Sequence, residues 1–387
     1  MRRNNFDLLR LLAALEVVVG HIIEFFSLPV PWFLQPAYVV MRWFPGVPIF
    51  FAMSGYLLAQ SLARNPDLWN YARNRALRIF PALWVNVSVT IGLLAMAGLL
   101  LQLPSSQLVA FVLAQFTIGQ SWAPGAIAEY GLGAPLTPNS ALWTIRMEIG
   151  FYIGLPILLL GGAWLLRTRR RVDAAIVTSA LVSFAAFSLL VTPGLDESGF
   201  SVMEKLIADS PLPHVWLFLG GVLVQRFEAP IRGVLVGRLW PWLLTFLLAR
   251  VSVWITYEWS YVNPEGQAPA AWALGLANLV LIMPSFAFAF SPSPTLARLK
   301  PRGDISYGIY LWHMVLVGAI VHWSLASGWT AGVIAIGGSI VAGYFSWVLI
   351  EKPALSFKRA PSVKPTLVLA NEAGSFAEAS TAARQGV

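Results

Sequence analysis

The chain has 387 residues, of which 57% are hydrophobic and only 11% are charged. This composition is typical of a helical membrane protein and excludes an ordinary soluble domain. The chain contains no cysteine, which excludes disulfides, thiolate nucleophiles and thiolate metal sites.

The charges and histidines also limit the possible functions. The net charge is +8, but the lysines and arginines occur in short clusters between apolar runs, so they are predicted to set membrane orientation and not to bind nucleic acid. No HxxxH or HExxH spacing occurs, so no metal site is predicted. The four histidines are His21, His214, His313 and His322.

Ten apolar segments are predicted to span a membrane. Their runs are continuous and about 20 residues long, whereas the strands of outer-membrane barrels are short and alternate. The predicted fold is therefore an all-α polytopic membrane protein, because helices close their backbone hydrogen bonds internally. A further apolar stretch, Leu108–Ile118, is too short to span. The predicted spans are 6–27, 45–62, 80–102, 142–164, 174–192, 213–226, 240–258, 270–290, 304–323 and 330–350.

The distribution of positive charge predicts the orientation. With the N-terminus in the cytoplasm, twenty-one Lys and Arg residues fall in inner segments, whereas the outer loops hold only Arg42 and Lys205. Positive residues favour the cytoplasmic side, so both termini are predicted to be cytoplasmic. Residues 1–353 are predicted to form a single membrane domain, and 354–387 a disordered cytoplasmic tail.

The first predicted span contains five ionisable residues, and such residues inside a membrane are functional hypotheses by default. Arg10 and His21 are eleven residues apart, so they share a helix face and lie roughly 16 Å apart along the axis. Asp7 is predicted to pair with Arg10, and Glu24 to lie near the outer headgroups. Glu16 lies on the opposite face from His21 and has no predicted role.

The stretch Tyr71–Trp84 carries three arginines just below the membrane: Arg73, Arg75 and Arg78. Arg75 and Arg78 are three residues apart and share a helix face. Two planar guanidinium groups in such a pair can bind phosphate through parallel hydrogen bonds. Contact with lipid headgroups is the alternative for this stretch taken alone.

The stretch Asn139–Tyr152 opens the fourth span and contains Trp143, Arg146 and Glu148. Arg146 and Glu148 are two residues apart and cannot face one another, so each needs a partner on another helix. Glu148 is a candidate for orienting an imidazole, with a structural interhelical hydrogen bond as the alternative. Arg146, and Arg250 in the seventh span, have no predicted role.

The stretch Gly303–His313 opens the ninth span. Asp304 is predicted to be its N-cap. In the second span, Ser54 is a further candidate, although Ser54 and Gly55 together favour close helix packing. A single histidine in such a span is also compatible with a packing role. The candidate site residues of the ninth span are Tyr307, Tyr310 and His313.

Taken in order, these residues resemble the integral-membrane acyltransferase family 3, bacterial O-acyltransferases that modify surface glycans and other hydroxylated acceptors. The resemblance implies ten core helices, acyl-CoA as donor, an essential Arg10 and His21, and an Arg75–Arg78 pair near the CoA phosphates. Many relatives carry a fused hydrolase-like domain, for which this chain is too short. The resemblance covers residues 4–353 and depends on Arg10, His21, Ser54, Gly55, Arg75, Arg78, Ile79, Pro81, Leu142, Trp143, Glu148, Phe151, Tyr152, Ser306, Tyr307, Tyr310, Leu311, His313, Glu351 and Pro353.

The resulting hypothesis is a bacterial inner-membrane enzyme. It would transfer an acyl group, most simply acetyl, from cytoplasmic acetyl-CoA to a hydroxyl of a sugar in a surface polysaccharide or lipid-linked glycan. The arginines of Tyr71–Trp84 would bind CoA, and Arg10 would guide the donor. His21, oriented by Glu148, would act as general base or carry the acyl group transiently.

Two alternatives remain at this point. The same chemistry fits a small-molecule acceptor such as a macrolide. A transporter or flippase is the alternative of a different class, because charged residues along a helix also mark ion paths. A transporter is expected to show related halves with broken helices, and the sequence contains no such repeat.

Overall fold

The computed structural model describes residues 4–64, 67–117, 119–120, 122–124, 127, 138–190, 207–208, 210–258, 270–291 and 303–358. The predicted tail from residue 359 onward and the outer-loop residue Lys205 lie outside this part of the chain.

Helices occupy all ten predicted spans, and the described residues contain no strand. Three of the helices continue through a single π-helical turn, at 157–161, 254–258 and 347–351. The helices are α1 (Phe6–Phe25), α2 (Gln35–Arg42), α3 (Gly46–Arg64), α4 (Leu68–Met96), α5 (Ser105–Phe116), α6 (Trp143–Pro156, continuing to Leu166), α7 (Arg169–Leu190), α8 (Val215–Arg226), α9 (Glu228–Leu235), α10 (Leu239–Val253, continuing to Glu258), α11 (Ala271–Phe290), α12 (Ser306–His322) and α13 (Gly328–Ser346, continuing to Ser356).

The lengths and composition of these helices confirm the predicted all-α polytopic class. Seven helical segments of the described chain are long and apolar enough to cross a membrane. Three other predicted spans correspond to α1 and to the shorter apolar helices α8 and α12. Helix α5 covers the extra apolar stretch and has 12 residues, fewer than a span needs.

Glycines bring α3 and α8 into backbone contact. A Cβ at Gly55 would overlap the carbonyl of Phe218, and a Cβ at Gly221 would overlap the carbonyl of Ala52. Small residues at such positions let membrane helices approach closely and gain packing energy. The packing predicted for Gly55 is therefore present, and the neighbouring Ser54 lines a cavity on the other side of α3.

Helix α12 packs between α1 and α13. Gly308 of α12 faces Gly343 of α13, and a Cβ on either residue would crowd the opposite backbone. Further along α13, the π-helical turn Trp347–Glu351 changes the direction of the side chains. Such single turns often occur at functional sites. Here the turn places the Glu351 side chain, which is 2% exposed, inside the bundle.

Glu16, which had no predicted role, joins α1 to α2 and α3. Arg42 donates from Nη1 to Glu16 Oε1 (2.7 Å) and from Nη2 to Glu24 Oε1 (2.8 Å). The backbone N–H of Gly46, at the start of α3, donates to Glu16 Oε2 (2.7 Å). The Arg42 guanidinium lies against Gly20, where any side chain would collide with it. We call these contacts of Arg42 and Gly46 with the two carboxylates the α1 clamp.

Candidate active site

Carboxylates and arginines meet at the N-terminal end of α1. Asp304 Oδ2 accepts hydrogen bonds from Arg10 Nη1 (3.1 Å) and Arg78 Nη2 (2.5 Å). Arg78 Nη1 also lies 3.5 Å from Glu351 Oε2, and Arg10 Nη1 lies 3.7 Å from Asp7 Oδ1, as predicted for that pair. Arg10 and Arg78 therefore each lie within 4 Å of two carboxyl groups.

Asp304 holds this cluster together and does not cap a helix, so the N-cap prediction was wrong. Helix α12 begins after Ile305, and no side chain caps its first turn. The Asp304 carboxylate instead faces the arginines and accepts a hydrogen bond from Ser306 Oγ (2.5 Å). The Asp304 carboxylate thus lies between the cationic side chains of Arg10 and Arg78.

Unlike Arg10 and Arg78, Arg75 pairs with no carboxylate of the described residues. Its guanidinium lies 5.9 Å from the centre of the Tyr152 ring, and its buried Nε has no hydrogen-bond acceptor there. Lys358 lies near this group: partial desolvation, followed by the neighbouring guanidinium charges, lowers its pKa to about 8. Arg73 does not line the cavity that Arg75 faces.

A cavity leads from these cations into the bundle. The cavity volume is about 100 Å³. Charged, hydroxyl and apolar side chains all contribute to its lining, as is usual for a small-molecule site. Its walls are formed by Arg10, Val47, Phe50, Phe51, Ser54, Leu57, Leu58, Arg75, Arg78, Ile79, Thr144, Ile145, Glu148, Tyr152, Ser306, Tyr307 and Tyr310.

Glu148 is held in the wall of this cavity. Its Oε1 accepts hydrogen bonds from Ser54 Oγ (3.1 Å) on α3 and from Tyr152 Oη (2.6 Å) one turn further along α6. Because Tyr152 also lies beneath the Arg75 guanidinium, the carboxylate and the unpaired cation are connected through one aromatic ring.

Tyr310 lines the cavity and contacts His313 through its backbone carbonyl. Its hydroxyl is 2.8 Å from Thr144 Oγ1 and donates to the Ala141 carbonyl (3.1 Å). Its backbone carbonyl accepts a hydrogen bond from His313 Nδ1 (2.5 Å) on the same helix. Tyr307, one turn earlier, lines the cavity and donates to the Ile79 carbonyl (3.2 Å).

His21 and His313 form a pair between α1 and α12. The distance from His21 Nδ1 to His313 Nε2 is 2.9 Å, and the ring centroids lie 5.2 Å apart. His313 is fully buried, whereas His21 is partly exposed. We call these two residues the histidine pair.

Comparison with known proteins identifies the family. A family model described as "Acyltransferase domain", that of acyltransferase family 3, matches residues 3–350. The chain belongs to this acyltransferase family. The match confirms the resemblance inferred from the sequence, and it places both the arginine cavity and the histidine pair within the matched acyltransferase domain.

The relatives of this acyltransferase include several proteins of known name. Nodulation protein 10 of Rhizobium leguminosarum bv. viciae is 31% identical over 92% of the chain and 94% of its own length. An O-acetyl transferase of Shigella phage Sf6 is 25% identical over 92% of the chain and 97% of its own length. Peptidoglycan O-acetyltransferase OatA of Listeria monocytogenes is 24% identical over 80% of the chain and 51% of its own length. No solved structure gives a significant match.

The acyltransferase brings together most of the predicted site residues, but not in the predicted pairs. Glu148 was expected to orient His21, yet its carboxylate points into the cavity and bonds to Ser54 and Tyr152. The hydrogen-bond partner of His21 is His313, because the ring of His21 faces α12 and not α6. Trp143 lies outside the cavity and packs against the ring of His214, with centroids 5.2 Å apart.

Two acidic residues that pair with Arg78 were not predicted to do so. Asp304 was predicted as an N-cap, and Glu351 was named only in the family resemblance, but buried arginines require acidic partners. Arg250, which had no predicted contact, lies over the Trp43 ring at 5.9 Å. This cation–π contact gives Arg250 a structural explanation that does not involve the site.

Proposed function

We propose that this acyltransferase transfers an acetyl group from cytoplasmic acetyl-CoA to a hydroxyl of a sugar in a surface polysaccharide or lipid-linked glycan. The observation that carries the proposal is the cavity lined by both Arg75, which pairs with no carboxylate of the described residues, and Tyr310, whose carbonyl accepts a hydrogen bond from His313. The cavity provides a site for an anionic head, and the Tyr310 backbone connects its wall to the histidine pair, which does not line it.

The cation pattern supports a phosphorylated donor. CoA carries several phosphate charges, and an arginine without a carboxylate partner can bind phosphate through two parallel hydrogen bonds. Arg75 is such a group, and Lys358 adds a second cation close to it. Arg10 and Arg78, which already pair with carboxylates, would line the cavity and contribute less to the affinity for the donor.

His21 supplies the chemistry in this proposal. A neutral imidazole can remove the proton of the acceptor hydroxyl as that oxygen attacks the acyl carbonyl, or it can take the acyl group first. The partial exposure of His21 leaves room for an acceptor, whereas His313 behind it is fully buried. The α1 clamp holds the half of α1 that carries His21.

Two considerations support a glycan acceptor in the bacterial inner membrane. The Listeria relative is named as a peptidoglycan O-acetyltransferase, and peptidoglycan is a surface glycan. The predicted orientation also turns the His21 end of α1 outward, toward such acceptors. A small-molecule acceptor would require the same residues, so the identity of the product decides between the two acceptor classes.

The experiment compares His21→Ala with the wild type in proteoliposomes supplied with isotopically labelled acetyl-CoA and isolated surface glycan. We expect label to enter the glycan only with the wild type, because the variant lacks the base. His322→Ala, which removes a histidine at the C-terminal end of α12 that does not line the cavity, should retain activity. Mass spectrometry of surface polysaccharide from cells with and without the protein identifies the acetylated sugar.

Full activity of His21→Ala would refute the catalytic assignment. Absence of acetyl-CoA consumption by the wild type would refute the donor. Acetylated small molecules together with unchanged polysaccharide would refute the glycan acceptor.

A further inference from the structure

The hydrogen bonds of the histidine pair determine where the ring protons of its two residues lie. Each neutral imidazole carries one ring proton, and that proton can lie on Nδ1 or on Nε2. Which nitrogen of His21 is basic therefore depends on where its proton lies. The contacts of His313 determine this position.

The proton of His313 must lie on Nδ1. Its Nδ1 is 2.5 Å from the backbone carbonyl oxygen of Tyr310, and a carbonyl can only accept a hydrogen bond. His313 is 0% exposed, and no carboxylate of the described residues pairs with it. A second proton would create an unpaired buried cation, which is costly, so the ring is neutral.

A neutral His313 with its proton on Nδ1 has an unprotonated Nε2 that can only accept. That Nε2 lies 2.9 Å from Nδ1 of His21, so Nδ1 of His21 must donate. His21 then has its own proton on Nδ1 and a free lone pair on Nε2. The tautomer of His21 thus follows from a carbonyl group on another helix.

The carbonyl at the start of this chain of hydrogen bonds is itself well anchored. The side chain of Tyr310 is fixed by Thr144 and by the Ala141 carbonyl. The next residue, Leu311, receives hydrogen bonds on its carbonyl oxygen from Asn86 Nδ2 (3.0 Å) and Asn139 Nδ2 (3.1 Å). This part of α12 therefore has little freedom to shift relative to α4 and α6.

We propose that His313 is a positioning residue of the acyltransferase: it keeps the ring proton of His21 on Nδ1 and so leaves Nε2 as the basic atom. The inference rests on the proposed function for its consequence, but not for its geometry. If the proton of His21 were on Nε2, that nitrogen could not accept a proton from the acceptor hydroxyl. Histidine bases therefore usually have a second group that fixes their tautomer.

In the proposed step, the acyl group moves from the sulfur of CoA to the oxygen of the acceptor. The acceptor hydroxyl transfers its proton to His21 Nε2 while its oxygen bonds to the acyl carbonyl carbon. The carbon–sulfur bond then breaks, and the CoA thiolate takes the proton back from Nε2. Throughout the step, Nδ1 of His21 keeps its proton and donates it to Nε2 of His313, which stabilises the transient imidazolium.

The direct test is magic-angle-spinning NMR of the full-length protein in proteoliposomes, with ¹⁵N in the histidine rings. The His21 signals are assigned as those that disappear in His21→Ala. We expect a protonated Nδ1 and an unprotonated Nε2 for His21 in the wild type. A proton on Nε2 of His21 would overturn the proposal, and this result does not depend on the donor or acceptor being correct.

Kinetics of three variants provide a second test. His313→Gln places an amide oxygen near the position of Nε2, so it can accept from His21 and should keep most of the activity. His313→Ala should lower kcat by about 100-fold without changing KM for acetyl-CoA, because the base and not the donor site is affected. His322→Ala is the matched control. Equal loss in the Gln and Ala variants, or a change confined to KM, would contradict the proposal, and thermal unfolding checks that each variant is folded.

Discussion

At the scale of single residues, the two arginines of the Arg-x-x-Arg motif have different surroundings and should therefore differ in function. Arg75 has no carboxylate partner among the described residues, whereas Arg78 is paired with Asp304 and Glu351. A charge-assisted hydrogen bond is worth about 1.5–3 kcal/mol, and a tenfold change in affinity corresponds to about 1.4 kcal/mol.

We therefore predict that Arg75→Ala raises KM for acetyl-CoA at least about tenfold and leaves the unfolding temperature unchanged. Arg78→Ala should instead lower the free energy of unfolding by about 3 kcal/mol, because it leaves a buried carboxylate without its partner. Arg170→Ala, an exposed arginine outside the cavity, is the control. Kinetics and thermal unfolding in detergent measure both effects, and identical behaviour of the two variants would contradict this division.

Lys358 gives donor binding a predicted pH dependence. Its pKa is lowered to about 8 by partial desolvation and by the nearby guanidinium groups, so its positive charge is present below pH 8 and lost above it. KM for acetyl-CoA should rise between about pH 7 and 9 as this charge disappears. Lys358→Arg, which stays charged, should flatten the rise, and Lys352→Met, on the same helix end, should not alter it. A wild-type KM that is constant across this range would exclude Lys358 from the donor site.

At the scale of helices, the α1 clamp contains two ion pairs of the same arginine that differ in burial. Arg42 binds Glu16 and Glu24 at nearly equal distances, but the Glu16 side chain is 7% exposed and the Glu24 side chain is 51% exposed. Breaking a buried ion pair leaves an uncompensated charge and costs about 3–5 kcal/mol, whereas an exposed pair is worth about 1 kcal/mol at most.

Glu16→Gln should therefore lower the free energy of unfolding by about 3 kcal/mol, and Glu24→Gln by less than about 1 kcal/mol. The Gln side chain keeps the size of Glu, so the difference reports the charge and its burial. Chemical denaturation in detergent, followed by tryptophan fluorescence, measures both variants. Similar destabilisation by the two would mean that burial of Glu16 does not strengthen the clamp.

The sequence predicts the helices of this protein better than it predicts their partners. Apolar runs of about 20 residues locate spans without knowledge of their neighbours, and all ten predicted spans are helical. The contacts of the site, however, join residues that are 294 positions apart for Arg10 and Asp304, and 292 apart for His21 and His313. Helical periodicity gives the face of each residue, but not which helix that face meets, so Glu148 was assigned to the wrong partner.

At the scale of the whole molecule, the proposed function requires a fixed orientation in the membrane. The cavity arginines Arg10 and Arg78 lie toward the N-terminal end of α1, and His21 lies further along the same helix. A cytoplasmic donor can reach Arg75 only if that end of the bundle faces the cytoplasm. The excess of positive charge in the predicted inner segments favours the same orientation.

The absence of cysteine from the chain makes this orientation straightforward to measure, because any labelled thiol of this protein must be an introduced one. Ser27→Cys places a thiol on the exposed turn after α1, and Arg170→Cys places one on the exposed start of α7. In intact cells, a membrane-impermeant maleimide should label the first variant and not the second, and permeabilised cells should show labelling of both. Labelling of Arg170→Cys from outside would show the opposite orientation. The cavity arginines would then lie on the side that acetyl-CoA does not reach.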